Sequence, residues 1–480
     1  MLTYEQDINK KGMVILLDFE RKTHRFISKY SLLQQGDYIL VAVSGGPDSL
    51  ALLDFLYHQS ARYKIRIAAA HVDHMLRGEE SKEDLIFVKK YCEERNIVFR
   101  SASINIKEKM AAEKTGLQET ARKYRYQFFE KVLEELHANK LAVGQHGDDQ
   151  IETILMRLVR GSTGTARAGI QVKRAFGQDK EMIRPLLGVS KIEIEVYCKT
   201  HHLNPRRDAS NETKKYTRNR FRIDVLPLIK KENGRIIEHF QRFSDELSED
   251  ETYLQELAQE AFTKMCQWNG KDELILDIPS FSTIALPLQR RVIHLILNYL
   301  YNQYITDLAS IHLEALQHLI KGENPSGRLD FPNSLKVIRS YDQCRFTFVE
   351  QESSPSYYYE VFADDEIVLP NGKTIQVKMA SDFPIQESAD TLILQPEDIQ
   401  FPLIIRTRQQ GDKIKVKGMN GTKKIKDIFI DMKIPVDERA IWPIVTDRTG
   451  ILLWIPGLKK SSYETPPVQQ RPYFLIYYSN

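Results

Sequence analysis

Five residues, Ile39 to Val43, are apolar without a break and run straight into Ser44-Gly45-Gly46-Pro47-Asp48-Ser49, after which Leu50, Leu52 and Leu53 recur at helical spacing. A buried strand that turns on a glycine pair into a helix is the opening βα unit of a layered α/β domain, and few other folds accommodate it. Gly45 and Gly46 let the chain turn tightly and bring backbone N–H groups against an anion. Pro47 and Asp48 suit the first turn of a helix whose N-terminal dipole attracts negative charge. The GK[ST] ending of the Walker loop is missing, so no loop lysine reaches the β- and γ-phosphates. A nucleotide held here is better placed to be opened between its α- and β-phosphates. Asp48 then supplies the kind of hard carboxylate oxygen that binds Mg²⁺ on phosphates. The plain alternative is a βα turn that binds nothing.

The same alternation continues. Strands are expected at Ile39–Val43, Ile65–Val72, Val98–Ser103 and Leu141–Gln145, with helices at about 48–60, 79–96, 117–137 and 148–160. Unbroken small apolar runs such as Ile67-Ala68-Ala69-Ala70 imply a doubly wound parallel sheet, buried on both faces. Ligands of such sheets bind at the carboxyl ends of the strands. That rule gathers Ser44 to Ser49, the His71-Val72-Asp73-His74 segment and Gln145 to Asp149 around one crevice.

Beyond Pro227 the pattern changes to long amphipathic stripes at Ile236–Met265, Pro287–Tyr301 and Thr306–Leu319, with two or three short strands following as far as Phe348. The acidic stretch from Asp245 to Glu260 is expected to be a solvated helix face. Glu350 to Ser356 is polar and holds a proline, as a linker would, and short β-rich runs with turns fill the rest. The expected division is a catalytic domain over residues 1–230, a mainly helical domain over 231–350 and a β-rich domain over 357–480. With 480 residues, 42% hydrophobic, the chain is too long for one ordinary core. Cys92, Cys198, Cys266 and Cys344 are scattered, without a C-x-x-C pair, and read as reduced packing thiols. Met13 to Leu17 is too brief for a signal segment and no run approaches a membrane span, so a cytoplasmic protein with no membrane contact is expected.

Asp149 and Glu152 are three residues apart at a helix start, and two readings stay open. They form a capping box with Asp149 as the cap, or they present two carboxylates to the crevice. Arg122 and Arg125 share a helix face, as surface charge or as cations for a developing phosphate charge; spacing does not separate them. The formal net charge of +3 is too small to argue for nucleic acid by itself. Two local runs do so. Arg206, Arg207, Lys214, Lys215, Arg218, Arg220 and Arg222 are interleaved with Tyr216 and Phe221, the mixture for phosphate contact and base stacking. Arg406, Arg408, Lys413, Lys415, Lys417, Lys423, Lys424 and Lys426 face the single acid Asp412, and Lys413-Ile414-Lys415-Val416-Lys417 alternates at strand period. Taken singly, either run is more often a solvated surface.

Ser-Gly-Gly-x-Asp-Ser after a first strand resembles the PP-loop ATP pyrophosphatases. Gly144-Gln145-His146-Gly147-Asp148-Asp149-Gln150-Ile151-Glu152, Arg184-Pro185-Leu186-Leu187, Asp208-Ala209-Ser210-Asn211 and Arg218-Asn219-Arg220-Phe221-Arg222, in that order, are similar to the bacterial tRNA(Ile)-lysidine synthases, and residues 403–457 resemble that family's C-terminal domain. The resemblance implies ATP and Mg²⁺ as cofactors, with Ser44, Gly45, Gly46, Pro47, Asp48, Ser49, His71 and Asp73 at the nucleotide and Asp48 on the metal. It implies that Asp149 and Glu152 hold the amino groups of L-lysine, and that Asp48, Arg125 and Asp149 carry the chemistry. The partner implied is tRNA(Ile) with a CAU anticodon, met by Arg206, Arg207, Arg218, Arg222, Lys413, Lys415, Lys417, Lys423 and Lys424; a homodimer is left open. The rivals are a tRNA thiolase of the same superfamily, which wants reactive cysteines or an iron–sulfur site, a small-molecule amidating ligase, which leaves the basic C-terminal run unexplained, and a non-catalytic, nucleotide-gated RNA-binding protein.

Overall fold

The computed structural model describes residues 18–76, 78–207, 213–270, 272–301, 310–348, 356–381, 388–465 and 472–479. The expected linker at Glu350 and the Asp208 to Asn211 motif fall largely or wholly outside them. Two compact units divide the chain, Met1–Tyr253 and Leu254–Asn480.

The first unit is built on six strands, β1 (Tyr38–Ala42), β2 (Arg66–Asp73), β3 (Val98–Ser103), β4 (Lys140–Val143), β5 (Lys173–Ala175) and β6 (Glu181–Ile183), in the order β3-β2-β1-β4-β6-β5. All pairs are parallel except β5 with β6. The helices are α1 over residues 18–29, α2 (Pro47–Tyr63), α3 (Glu79–Glu93), α4 (Ile106–Glu113), α5 (Leu117–Leu136), α6 (Gly147–Val159) and α7 (Lys191–Thr200). Successive residues of β1 show why the sheet is covered twice. Ile39 and Val41 pack with Leu50, Leu53 and Phe55 of α2, whereas Leu40 packs with Phe129, Val132 and Leu133 of α5. All three strand residues are fully buried, and each such side chain contributes roughly 1.5–3 kcal/mol. The strand order reverses at β1, between β2 and β4, which opens a crevice at the carboxyl ends of β1 and β4.

After α7 come α8 (Thr217–Arg220), a π-helical turn (Phe221–Val225), α9 (Leu226–Glu232) and the long α10 (Ile236–Met265). The acidic face expected to be solvated is partly engaged. Asp245 accepts hydrogen bonds from Tyr30 and Lys29, and the buried Glu251 meets Arg167.

In the second unit the middle of the chain holds more helix than strand, but its sheet is larger than expected. Cys266–Trp268 and Glu273–Asp277 join Gln343–Thr347, Lys336–Ser340 and Ser326–Asp330 in a five-stranded antiparallel sheet, where two or three strands were expected. The helices Leu286–Leu300 and Ser310–Lys321 pack their apolar sides into its core through Ile296, Leu297, Leu316 and Ile320. The remainder is β-rich, with a five-stranded and a four-stranded sheet sharing one core around Trp454, Val377 and Ile405. A two-stranded ribbon, Lys413–Ile414 with Lys423–Lys424, lies within this part.

Candidate active site

The phosphate loop joins β1 to α2. Gly45 sits at φ +87°, a backbone conformation that L side chains rarely adopt. Gly46 caps α2, and Pro47 opens its first turn. Ser49 ties the loop to itself: its hydroxyl accepts from the Ser44 N–H at 3.0 Å and donates to the Gly46 carbonyl at 3.2 Å. The end of β4 must come close to this turn. A Cβ on Gly144 would lie 2.9 Å from the backbone of Asp48 and Ser49, so only glycine lets the end of β4 meet the first turn of α2.

Ser44, Asp48, Ser49, His71, Asp73, Gln145, Arg122 and Arg125 line one cavity of about 580 Å³, which also takes in Arg218. The segments expected around one crevice are therefore side by side. His71 bonds the Val43 carbonyl through Nδ1 at 2.8 Å, and Asp73 accepts from the Met75 N–H at 2.7 Å. Burial pushes the imidazoles of His71 and His74 below their ordinary range, and Arg125 adds to the shift of His74. Both arginines of α5 flank the ring of Tyr126, but Arg122 is exposed and Arg125 half-buried.

Asp48 Oδ1 accepts from Lys191 Nζ at 2.5 Å, and His146 Nε2 lies 3.8 Å away. The same His146 nitrogen is 3.5 Å from Asp149 Oδ2, so one buried imidazole links the two carboxylates. α6 begins at Gly147 with His146 as its cap; Asp149 is thus the third helical residue, not the cap, and its Oδ2 accepts the His146 backbone N–H at 3.1 Å. The expected capping box is displaced by three residues, and Glu152 takes no part in it.

Glu152 is fully buried and faces two guanidinium groups. Arg222 Nε donates to Oε1 at 2.7 Å and Arg218 Nε to Oε2 at 2.9 Å; both arginines also reach Asp149 Oδ1, at 3.0 and 2.9 Å. Burial alone would raise the Asp149 carboxyl, but His146 and then Arg218 outweigh it and hold its pKa below the ordinary carboxylate range. Arg218 and Arg222, expected on RNA, are turned inward here. Arg218, in α8, and Arg222, in the π-helical turn that continues it, are four residues apart on one helical face, so both arms reach one acidic pair. Arg218 lines the cavity; its two carboxylate partners do not.

The other basic residues divide. Arg206 pairs with Glu83 and Asp84, and Arg207 with Glu195. In the C-terminal run Arg406 is buried in a two-pronged pair with Asp412, Lys417 meets Glu464, and Lys423 meets Asp431. Lys413, Lys415 and Lys424 are exposed, with no ion-pair partner among the described residues. The strand expected over Lys413 to Lys417 holds only at Lys413–Ile414, followed by a single bridge from Val416 to Ser461, yet the alternation survives: Ile414 and Val416 are buried.

The comparisons with known proteins follow this division of the chain. A PP-loop domain model (ATP_bind_3) matches residues 15–229, a TilS substrate binding domain model residues 276–345, and a TilS substrate C-terminal domain model residues 403–471. The tRNA(Ile)-lysidine synthase of Geobacillus kaustophilus is 45% identical over 458 residues, covering 95% of this chain and 98% of that one. The chain belongs to the tRNA(Ile)-lysidine synthase family. The enzyme of that name from Bacillus cereus is 44% identical over 96% of this chain and 97% of its own. A crystal structure of a TILS C-terminal domain is 40% identical, covering 26% of this chain and 97% of that one at a TM-score of 0.25.

Seen as a lysidine synthase, the site holds three residues that sequence reasoning passed over. Lys191 pairs with Asp48; the Ser190-Lys191-Ile192-Glu193 capping box marks its helix start, but nothing in the sequence points to a partner 143 residues away. His146 bridges the carboxylates. Arg184, whose guanidinium burial pushes down to about 10, donates to the Gln145 side chain at 2.5 Å and holds it at the cavity wall. All four cysteines are buried and their thiols pushed up to about 12 by burial, which suits packing and not the sulfur chemistry of a thiolase.

Proposed function

We propose that this ligase converts the wobble cytidine of a CAU anticodon in tRNA(Ile) to lysidine. The C2 oxygen of the cytosine attacks the α-phosphate of ATP and pyrophosphate leaves; the ε-amine of lysine then attacks C2, and AMP departs with the oxygen while the amine loses its protons. The observation that carries the reading is the convergence of a phosphate loop without a loop lysine and a buried Asp149/Glu152 pair, linked through His146, at the switch point of the sheet.

The loop from Ser44 to Ser49 receives the pyrophosphate against the α2 N-terminus. Asp48 fits a hard cation: Oδ1 is engaged by Lys191, and Oδ2 has no partner among the described residues. Mg²⁺ held there would neutralise the charge of the departing pyrophosphate. Arg125, half-buried at the cavity wall, is the better placed of the two α5 arginines to meet charge growing on the α-phosphate. Asp149 and Glu152 receive the lysine amino groups. Since guanidinium arms already occupy them, lysine binding requires Arg218 or Arg222 to yield a carboxylate. Asp149, with its depressed pKa, is suited to holding an ammonium group in place.

The reading is tested by following AMP and pyrophosphate release with ATP, Mg²⁺, tRNA(Ile) and lysine, each omitted in turn. AMP release that depends on both tRNA and lysine is expected. Nucleotide binding with no turnover under any combination would favour the non-catalytic, nucleotide-gated alternative.

A further inference from the structure

The middle of α2 carries Asp54 and His58, four residues apart and so on one face of the helix. His201, at the C-terminal end of α7, faces them. The Asp54 side chain is 1% exposed, and its carboxylate accepts from Tyr91 at 2.5 Å on Oδ1 and from Tyr197 at 2.8 Å on Oδ2. Two hydroxyls satisfy hydrogen bonds but bring no charge. A buried carboxylate is ordinarily paired with a cation or bound to a metal, yet no lysine or arginine pairs with Asp54 among the described residues. The basic groups beside it among the described residues are two imidazoles: His58 Nε2 is 3.6 Å from Oδ1 and His201 Nδ1 3.5 Å from Oδ2.

We propose that Asp54, His58 and His201 form a structural site for a first-row divalent metal of the zinc class. One carboxylate and two imidazoles are a donor set that zinc accepts. The three donor atoms lie within 4.8 Å of one another. Bonds of ~2.0–2.1 Å in a tetrahedral centre put donors about 3.3–3.4 Å apart; the two imidazoles stand at 3.6 and 3.5 Å from different oxygens of Asp54, so the carboxylate would turn or chelate to serve one ion with both. The carboxylate has the outer hydrogen bonds that orient a metal ligand. Both oxygens of Asp54 are oriented by the hydroxyls of Tyr91 and Tyr197. The His201 ring stacks on Tyr197 with centroids 4.2 Å apart. His58 is half exposed, which lets an ion reach the site from solvent and leaves a further position for water.

None of the three residues lines the nucleotide cavity, so the site does not depend on the reading of the reaction. Its place in the fold gives it a use. α2 and α7 are already joined at their N-terminal ends by the Asp48–Lys191 pair, and a metal across Asp54, His58 and His201 would tie the same two helices further along, bracing the helix that bears the phosphate loop.

The test uses the full-length protein, freed of metal with a chelator, then titrated with Zn²⁺ alone by calorimetry and with Co²⁺ by visible absorption. One equivalent of Zn²⁺ at micromolar affinity or tighter, a higher melting temperature, and a Co²⁺ spectrum of tetrahedral intensity are expected. His58→Gln changes an exposed ring and keeps the fold; it and His201→Asn should each weaken binding by roughly tenfold or more. Absence of a saturable equivalent would overturn the proposal. Unchanged binding in both histidine variants would overturn it equally, by sending the ion elsewhere.

Discussion

Asp48 stands at the meeting point of the phosphate loop, Lys191 and His146, and its replacement tests the chemistry more sharply than the fold. The Asp48→Asn variant should lose AMP and pyrophosphate formation by orders of magnitude, because the carboxylate offered to Mg²⁺ is gone. Its melting temperature should fall little, since the Lys191 pair is about one third exposed on each side and such pairs contribute about 0–1 kcal/mol. A folded variant with undiminished Mg²⁺-dependent turnover would remove Asp48 from the metal. Glu152→Gln asks a different question. A capping role would cost ~1 kcal/mol and spare lysine dependence, but Glu152 does not cap. The variant should keep ATP and tRNA binding and raise the lysine concentration for half-maximal rate sharply, with a stability loss because Arg218 and Arg222 face a neutral amide. Steady-state lysine titrations decide it, and an unchanged requirement would mean that the pair only anchors the two arginines. The acidic pair was legible in the sequence because Asp149 and Glu152 share a short segment. Their occupancy by arginines 66 to 73 residues away was not, since a basic run looks the same whether it meets water, RNA or a distant carboxylate.

At the scale of elements, β1, α2, β4 and α6 were legible because buried parallel strands read as unbroken apolar runs ended by glycine and followed at once by helical periodicity. The sheet of the middle region was not. Cys266–Trp268 follows α10 without a break, so the helical stripe hides the Asn269-Gly270 turn that pairs it with Glu273–Asp277, and the other partner of Glu273–Asp277, Gln343–Thr347, lies some seventy residues on. Gly144 tests how closely β4 must approach the loop. Gly144→Ala pushes a methyl against the Asp48 and Ser49 backbone and should cost about 1–3 kcal/mol with loss of ATP binding, read by calorimetry. Normal ATP affinity would show that the loop can shift at no cost. The lysine ribbon of the second unit makes the other prediction of this scale. Replacing Lys413, Lys415 and Lys417 by glutamine should weaken tRNA binding for all tRNAs alike and reduce its salt slope by ~2 units. The structure lowers this from the ~3 that three free lysines would give, because Lys417 is paired with Glu464. An unchanged slope in titrations at several salt concentrations would make the lysines a solubilising face.

For the molecule as a whole, the buried histidines set an acid limit. His71 and His74 have pKa values held below the ordinary 6.5, so the unfolded chain binds protons that the folded one refuses. Their contribution to stability is complete above about pH 6.5 and is lost as pH falls from there toward their folded values. Melting temperatures should therefore begin to drop below about pH 6.5, and less steeply in His71→Asn and His74→Asn; identical profiles would assign the acid limit to other groups. Three matched regions, a PP-loop domain and two TilS domains, extend along the chain, and relatives of the same name cover nearly all of it. As proposed, this assembly writes lysine into a cytidine of tRNA(Ile). The direct measurement is nucleoside mass analysis of tRNA(Ile) bearing a CAU anticodon after incubation with the protein, ATP, Mg²⁺ and lysine. The wobble cytidine should disappear and a nucleoside carrying the lysine mass appear in its place, only when all components are present. An unmodified wobble cytidine after ATP has been consumed, or a modification that forms without lysine, would contradict it.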